Sequence, residues 1–288
     1  MFQVPTALGW MQKLPAGRRW LSELPACVER CTRKWKLLLD QPYPQSFVSV
    51  VFPARRPNGS AAVLKIQYPH EESENEPEAL RLWNGNGAVK LFDYDAQDHA
   101  LLMERCFPGE HLSNTGSQEA LNVFADLLPR LWIPAGATFK SLAEEASDWL
   151  VRLPAEFNAA GKPFESALLD AALAAIAELR SNQGEQVLLN QDLHGDNVLR
   201  AQRQPWLCID PKPLVGEREL SVAPIIRGYE FGHSRDDVLH RLNWLSSELN
   251  LDRERARLWA LAQTLAWGFE GTAVYDKHVE TARWLMQA

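Results

Sequence analysis

Strand-forming runs crowd into the first 105 residues of this 288-residue chain, and helical patterns take over after Pro108-Gly109. Phe47-Val48-Ser49-Val50-Val51-Phe52 and Ala61-Ala62-Val63-Leu64-Lys65-Ile66 are β-branched and aromatic runs flanking Pro57-Asn58-Gly59. That arrangement predicts an antiparallel hairpin. Ala88–Tyr94 and His99–Glu104 predict two further strands around Asp95-Ala96-Gln97-Asp98. Between the pairs, Glu71–Trp83 reads as a helix that ends at Asn84-Gly85-Asn86-Gly87, because these residues tolerate left-handed dihedrals. An amphipathic helix is expected over Pro25–Leu39, stopped by Pro42 and Pro44. A chain so divided is expected to fold as α+β in two lobes: a small antiparallel-sheet lobe over 1–105 and a larger helical lobe over 106–288.

In the second lobe, helices are predicted at Gln118–Leu131, Ser141–Asn158, Phe164–Ser181, Arg235–Leu249, Asp252–Gly268 and Tyr275–Met286. Only Gln186–Leu189, Val198–Arg200 and Trp206–Ile209 read as strands there. They bracket the polar stretch Asn190-Gln191-Asp192-Leu193-His194-Gly195-Asp196-Asn197, with Asp210 just beyond the last run. If the last two runs form a hairpin around Ala201–Pro205, Asn197 and Asp210 come to the same end of it. Amide and carboxylate oxygens so placed suit a hard cation such as Mg²⁺, and Asp192 beside them can accept a proton from an attacking hydroxyl. Taken singly, each is an ordinary turn residue; the order and placement of all three argue for chemistry. His194 with Asp192 or Asp196 offers a metal-hydrolase reading, but no further His pair completes a zinc site.

Lys65 is the one charged residue of its strand, and an isolated strand lysine needs a partner. Glu78, on the following helix, is the expected one. A strand lysine, a helix glutamate, Asp-x-x-x-x-Asn and a later Asp after an apolar strand make up the part list of kinase-type phosphoryl transfer.

The formal charge of −7, with 46% hydrophobic and 23% charged residues, gives no electrostatic footprint for nucleic acid. It leaves room for a cationic small molecule. Cys27 and Cys31 fall on one helix face, and no second Cys or His pair completes a zinc site with them, so buried thiols in a reducing compartment are expected. The first residues, interrupted by Pro5 and Pro15, do not read as a signal peptide, and no run is long enough to span a membrane. A soluble, cytoplasmic protein is the expectation.

Over nearly its whole length the chain resembles the aminoglycoside phosphotransferase superfamily, and within it the streptomycin 6-kinase and hydroxyurea phosphotransferase branch. The resemblance rests on Trp20-Leu21-Ser22-Glu23-Leu24-Pro25, Val63-Leu64-Lys65, Glu78–Val89 and Leu102-Met103-Glu104-Arg105. Its most specific parts are Asp192–Leu199 and Ile209-Asp210-Pro211-Lys212-Pro213-Leu214-Val215-Gly216-Glu217-Arg218. The Asp-Pro-Lys segment points to this branch. The resemblance implies a bilobal protein-kinase-like fold with ATP and Mg²⁺ as cofactors. It implies Lys65 on the α/β-phosphates held by Glu78, a hinge over 103–107 with Glu104 and Cys106 backbone at the adenine, and phosphate cover near Ser46. Asp192 is then the catalytic base, and Asn197 and Asp210 are the metal ligands; Lys212 is a further candidate for a phosphate or substrate contact.

The acceptor implied is a small hydroxyl compound such as a streptomycin-type aminoglycoside or hydroxyurea. Glu217, Glu230, Asp236, Asp237 and Glu270 are acidic residues that suit a cationic one. A sugar or metabolite kinase and a nucleotide-binding pseudokinase fit the same residues. Two departures motivate the latter: Asn190-Gln191 replace the His-Gly usual before the catalytic aspartate, and Ser221 stands where the family's bracing aspartate is expected. The expected effect of the second is an Asp192 that is less firmly held.

Overall fold

A computed structural model describes residues 2–70, 74–136 and 138–288, and the chain divides into two units, Met1–Gly109 and Glu110–Ala288. The first unit opens with a 3₁₀ segment, Thr6–Lys13, and helix α1 (Pro15–Trp35). The helix begins ten residues before the expected start, because Pro15 sits at its first turn, where a missing N–H costs nothing. Pro25 is tolerated inside it. Its end is set by Lys36, left-handed at φ 51°, and not by Pro42. Leu21, Leu24, Cys27, Val28 and Cys31 form its buried face at helical spacing.

That face packs on a five-stranded sheet of order β1 (Leu38–Leu39), β2 (Ser49–Arg55), β3 (Ala61–Gln67), β5 (Ala100–Glu104), β4 (Leu91–Asp95), antiparallel throughout. The hairpin expected around Pro57-Asn58-Gly59 is the β2–β3 pair. Along β3, Ala62, Leu64 and Ile66 join Val50 and Phe52 of β2 in the core beneath α1. Lys65 and Gln67 point to the opposite face and are nevertheless buried, so this end of β3 is covered on both sides. Helix α2 (Glu76–Trp83) follows β3 and ends at left-handed Asn84. Residues 71–73, which the sequence pattern includes in this helix, lie outside the described residues.

The second unit carries the expected helices: α3 (Ser117–Leu131), α4 (Leu142–Ala159), α5 (Ser166–Ser181), α7 (Arg235–Glu248), α8 (Arg253–Ala266) and α9 (Asp276–Met286). Ser141 and Glu144 form a reciprocal capping box on α4, and Asp252 caps α8. Strands β6 (Gln186–Asn190), β7 (Val198–Arg200) and β8 (Trp206–Cys208) stand where expected. Strand β9 (Pro213–Glu217), short helix α6 (Ala223–Arg227) and the small β10 (Phe269–Glu270)–β11 (Ala273–Val274) pair were not anticipated. Strand β9 escapes sequence reading because it contains Pro213 and Gly216. The proline opens the strand, where no ladder donor is needed, and a Cβ at Gly216 would lie 2.5 Å from the Leu142 Cβ.

Candidate active site

Two short ladders set the chemistry of the second unit. Strand β6 pairs with β9, and the Gln191 N–H extends the ladder to the Lys212 carbonyl at 3.0 Å. Strand β7 pairs with β8, and the Ile209 N–H donates to the Asn197 carbonyl at 2.9 Å. The loop 191–197 therefore runs beside the loop 209–212. Buried Asn190 joins them: its Oδ1 accepts from the N–H of Asp192 and of Lys212, each at 3.0 Å, while its Nδ2 donates to Cys208 Sγ at 3.3 Å. The residue that departs from the family pattern is thus a shared brace for both loops.

Asp192 is partly buried, with Lys212 Nζ 3.4 Å from its Oδ2 and His194 Nε2 4.0 Å from its Oδ1. Asn197 Nδ2 donates to the Asp192 backbone carbonyl at 3.0 Å, which holds the amide by its nitrogen. Asp210 is exposed and left-handed at φ 50°, a conformation an aspartate tolerates and a mark of constrained functional loops. An amide oxygen and a carboxylate at adjoining ends of one hairpin are hard donors of the type Mg²⁺ takes, and the residues present fit that ion.

A second layer holds this loop. Gln263 of α8 donates to the Gln191 carbonyl at 3.0 Å and accepts from buried Arg227 at 3.0 Å. Burial pulls the Arg227 guanidinium down to about 10, opposed by the negative charges of Asp192 and Glu230. Arg227 and Lys212 both lie over the Trp267 ring, at 5.0 and 4.8 Å. Glu230 accepts from the Gly195 N–H at 3.0 Å. A side chain at Gly195 would meet Phe231 Cζ at 2.7 Å, so only glycine fits there. Ser221 turns elsewhere, donating to the Arg218 carbonyl and accepting from Trp132 Nε1. The bracing that an aspartate at position 221 was expected to supply comes instead from Asn190, Gln263 and Glu230, so the loop carrying Asp192 is firmly tied.

In the first unit, Lys65 Nζ donates to Glu76 at 2.6 Å, and Gln67 Nε2 binds the same carboxylate oxygen. The expected partner, Glu78, is corrected: it is half-exposed and pairs with Arg81 at 3.1 Å. Two residues along a helix turn the side chain by about 200°. Glu76 shares the buried face of Ala79, Leu80 and Trp83, whereas Glu78 does not. That i, i+3, i+4, i+7 phase was readable in the sequence. Among the remaining candidates, Ser46 Oγ shares a hydrogen bond with Ser49 Oγ at 2.8 Å. The Glu104 N–H donates to the Lys90 carbonyl at 2.8 Å, and Cys106, two residues on, is partly buried.

Of the acidic residues considered for a cationic acceptor, Glu217 is ruled out. It is fully buried, bound by Arg255 at 2.7 Å, by the Trp259 indole and by the Gly184 N–H. Asp237 is engaged with the cap Ser234, Glu230 with Gly195, and Glu270 with the Tyr275 hydroxyl. Asp236 lies exposed in the first turn of α7. No helix among the described residues is long and apolar enough to cross a membrane.

Comparison with known proteins shows the family of the chain. Residues 34–275 match the model of the family described as aminoglycoside/hydroxyurea antibiotic resistance kinase. The chain is 36% identical to a streptomycin 6-kinase of Streptomyces griseus, over 92% of this chain and 90% of that one. It is also 36% identical to a hydroxyurea phosphotransferase of Kitasatospora aureofaciens, over 94% of this chain and 81% of that one. Among solved structures, the choline kinase LicA from Streptococcus pneumoniae superposes with a TM-score of 0.61 at 12% identity, covering 90% of this chain and 95% of that one. The aminoglycoside phosphotransferase APH(4)-Ia gives 0.57 at 15%, covering 91% and 96%. At those identities the structures share the fold, which is the bilobal kinase-like one.

Proposed function

The chain belongs to the aminoglycoside/hydroxyurea antibiotic resistance kinases, and from that premise we propose that it transfers the γ-phosphate of ATP to a hydroxyl of a small acceptor, a streptomycin-type aminoglycoside or hydroxyurea. The observation that supports this reading is the set of bonds that ties the loop of Asp192 and Asn197 to the 209–212 loop that carries Asp210. Asp192 orients the acceptor hydroxyl and takes its proton as the oxygen attacks phosphorus. Lys212, 3.4 Å from Asp192, carries a cationic group to where negative charge gathers during transfer. The Asn197 amide oxygen and the Asp210 carboxylate would hold Mg²⁺, which neutralises charge on the nucleotide phosphates when bound. Lys65, fixed by Glu76, binds those phosphates, and the adenine contacts fall to the Glu104 carbonyl and the Cys106 backbone.

Turnover of Mg·ATP is to be measured with streptomycin, hydroxyurea and simple polyols, with Asp192→Asn as the control. Phosphorylated streptomycin or hydroxyurea is expected, and the variant should lose roughly 10²–10⁴-fold in kcat while still binding nucleotide. Tight Mg·ATP binding with no phosphorylated product across the panel would overturn the kinase reading. Undiminished activity in Asp192→Asn would remove that residue from the role of base.

A further inference from the structure

The two helix thiols, which lack a metal partner in the sequence pattern, acquire one in the fold. Cys27 and Cys31 project from the same face of α1, both buried, toward the turn between β4 and β5 that carries Asp98. Cys31 Sγ lies 3.9 Å from Asp98 Oδ2, and Cys27 Sγ lies 3.6 Å from the Asp98 carbonyl oxygen. The two sulfurs and a carboxylate oxygen all fall within 4.8 Å of one another. This is the one such three-ligand group of His, Cys, Asp and Glu among the described residues.

We propose that Cys27, Cys31 and Asp98 form a binding site for a thiophilic divalent cation of the Zn²⁺ type, with water as the fourth ligand. Tetrahedral zinc with metal–sulfur bonds near 2.3 Å and metal–oxygen bonds of about 2.0–2.2 Å has ligand–ligand edges of about 3.6–3.8 Å. The Cys31–Asp98 separation of 3.9 Å is already near such an edge, and the remaining pairs, all within 4.8 Å, would close by at most about 1 Å. Charge favours it too. Two thiolates and one carboxylate around a divalent ion leave one net negative charge, and Arg30 already stands against Asp98, with Nε 3.0 Å from Oδ2 and Nη2 on Oδ1. With the metal on Oδ2, Arg30 keeps Oδ1 and serves as the outer partner that orients the ligand.

The ion would cross-link α1 to the sheet that bears Lys65. Two polar ties already join these elements: Lys34 to Asp95 at 2.8 Å and Trp35 Nε1 to Asp93 at 2.7 Å. The two strand-side anchors of those ties lie in or at the end of β4, so the metal would lock the end of the sheet nearest the helix C-terminus. The site is independent of the phosphoryl-transfer residues and of the acceptor.

The test is a titration of the full chain with Co²⁺, kept reduced under anaerobic conditions. One Co²⁺ per chain is expected, with a sulfur-to-cobalt charge-transfer band, the visible bands of tetrahedral cobalt, and displacement of both by Zn²⁺. Cys27→Ser and Cys31→Ser should each lose the contribution of one sulfur, and the double variant should lose the band. Asp98→Ala should keep sulfur ligation with affinity lower by at least about tenfold, since even outer-shell changes cost that much. No sulfur band in the wild-type protein overturns the proposal, whatever the variants do. So does a band that survives in the double variant.

Discussion

Lys65 donates to Glu76 across 2.6 Å in a pair from which water is almost wholly excluded, with side chains 6% and 2% exposed. In Glu76→Gln the buried ammonium loses the carboxylate charge 2.6 Å away. We expect destabilisation of about 3–5 kcal/mol and a loss of roughly 100-fold in kcat/KM as the lysine shifts from the phosphates. Glu78→Gln, at an exposed pair, should stay within about 1 kcal/mol of wild type with activity retained. Urea unfolding and steady-state kinetics on the two variants separate them. Equal losses in both would return Glu78 to the role first expected of it.

Asn190 is the point where two loops share one acceptor. Asn190→Ala leaves the N–H groups of Asp192 and Lys212 without it, and kcat should fall by about 10²-fold while the KM for ATP changes little. Asn190→Asp keeps an oxygen for both donors and should recover part of the loss. A KM effect in place of the kcat effect would show that the brace serves nucleotide binding.

The chain Arg227–Gln263–Gln191 ties α6 and α8 to the loop that carries Asp192 through buried hydrogen bonds. Gln263→Leu fills the space but removes both bonds. The expected cost is about 1–3 kcal/mol in chemical denaturation, together with a lower kcat. Wild-type kcat in a measurably destabilised variant would make the network structural alone.

His278 connects stability to pH. Burial, with the charge of Arg227 adding to it, pushes its imidazole from the ordinary 6.5 down to about 4, against a hydrogen bond to the Trp267 carbonyl. The unfolded chain takes up the proton more readily than the folded one. Stability is therefore full above pH 6.5, declines as pH falls through the interval from about 6.5 to about 4, and levels off below it. The decline amounts to about 2–3 kcal/mol between pH 7 and 4.5. His278→Asn can retain the donor to Trp267 and should flatten this part of the profile. An unchanged slope in urea unfolding at the two pH values would count against it.

Much of the fold was legible because period and punctuation carry it. The β2–β3 hairpin followed from two β-branched runs and Pro57-Asn58-Gly59, and the long helices from their apolar spacing and caps at Ser141 and Asp252. Strand β9 was missed since a proline and a glycine hide it, and both are there for reasons only packing reveals. Gly216 lies hard against Leu142, and Pro213 opens the strand.

The active-site residues divide the same way. The sequence by itself determined the candidates proposed for phosphoryl transfer: Lys65, Asp192, Asn197 and Asp210 stand out because that chemistry calls for those side chains in that order. The tertiary structure decided which groups hold them. Glu76 and not Glu78 meets Lys65, because helix phase selects the buried face. Asn190, Gln263 and Glu230 replace an absent aspartate, because burial requires every polar group in the loop to find a partner and leaves open which element supplies it. Cys27, Cys31 and Asp98 converge for the same kind of reason: contacts between residues 67 or more positions apart are set by how a helix packs on a sheet, which no local pattern encodes.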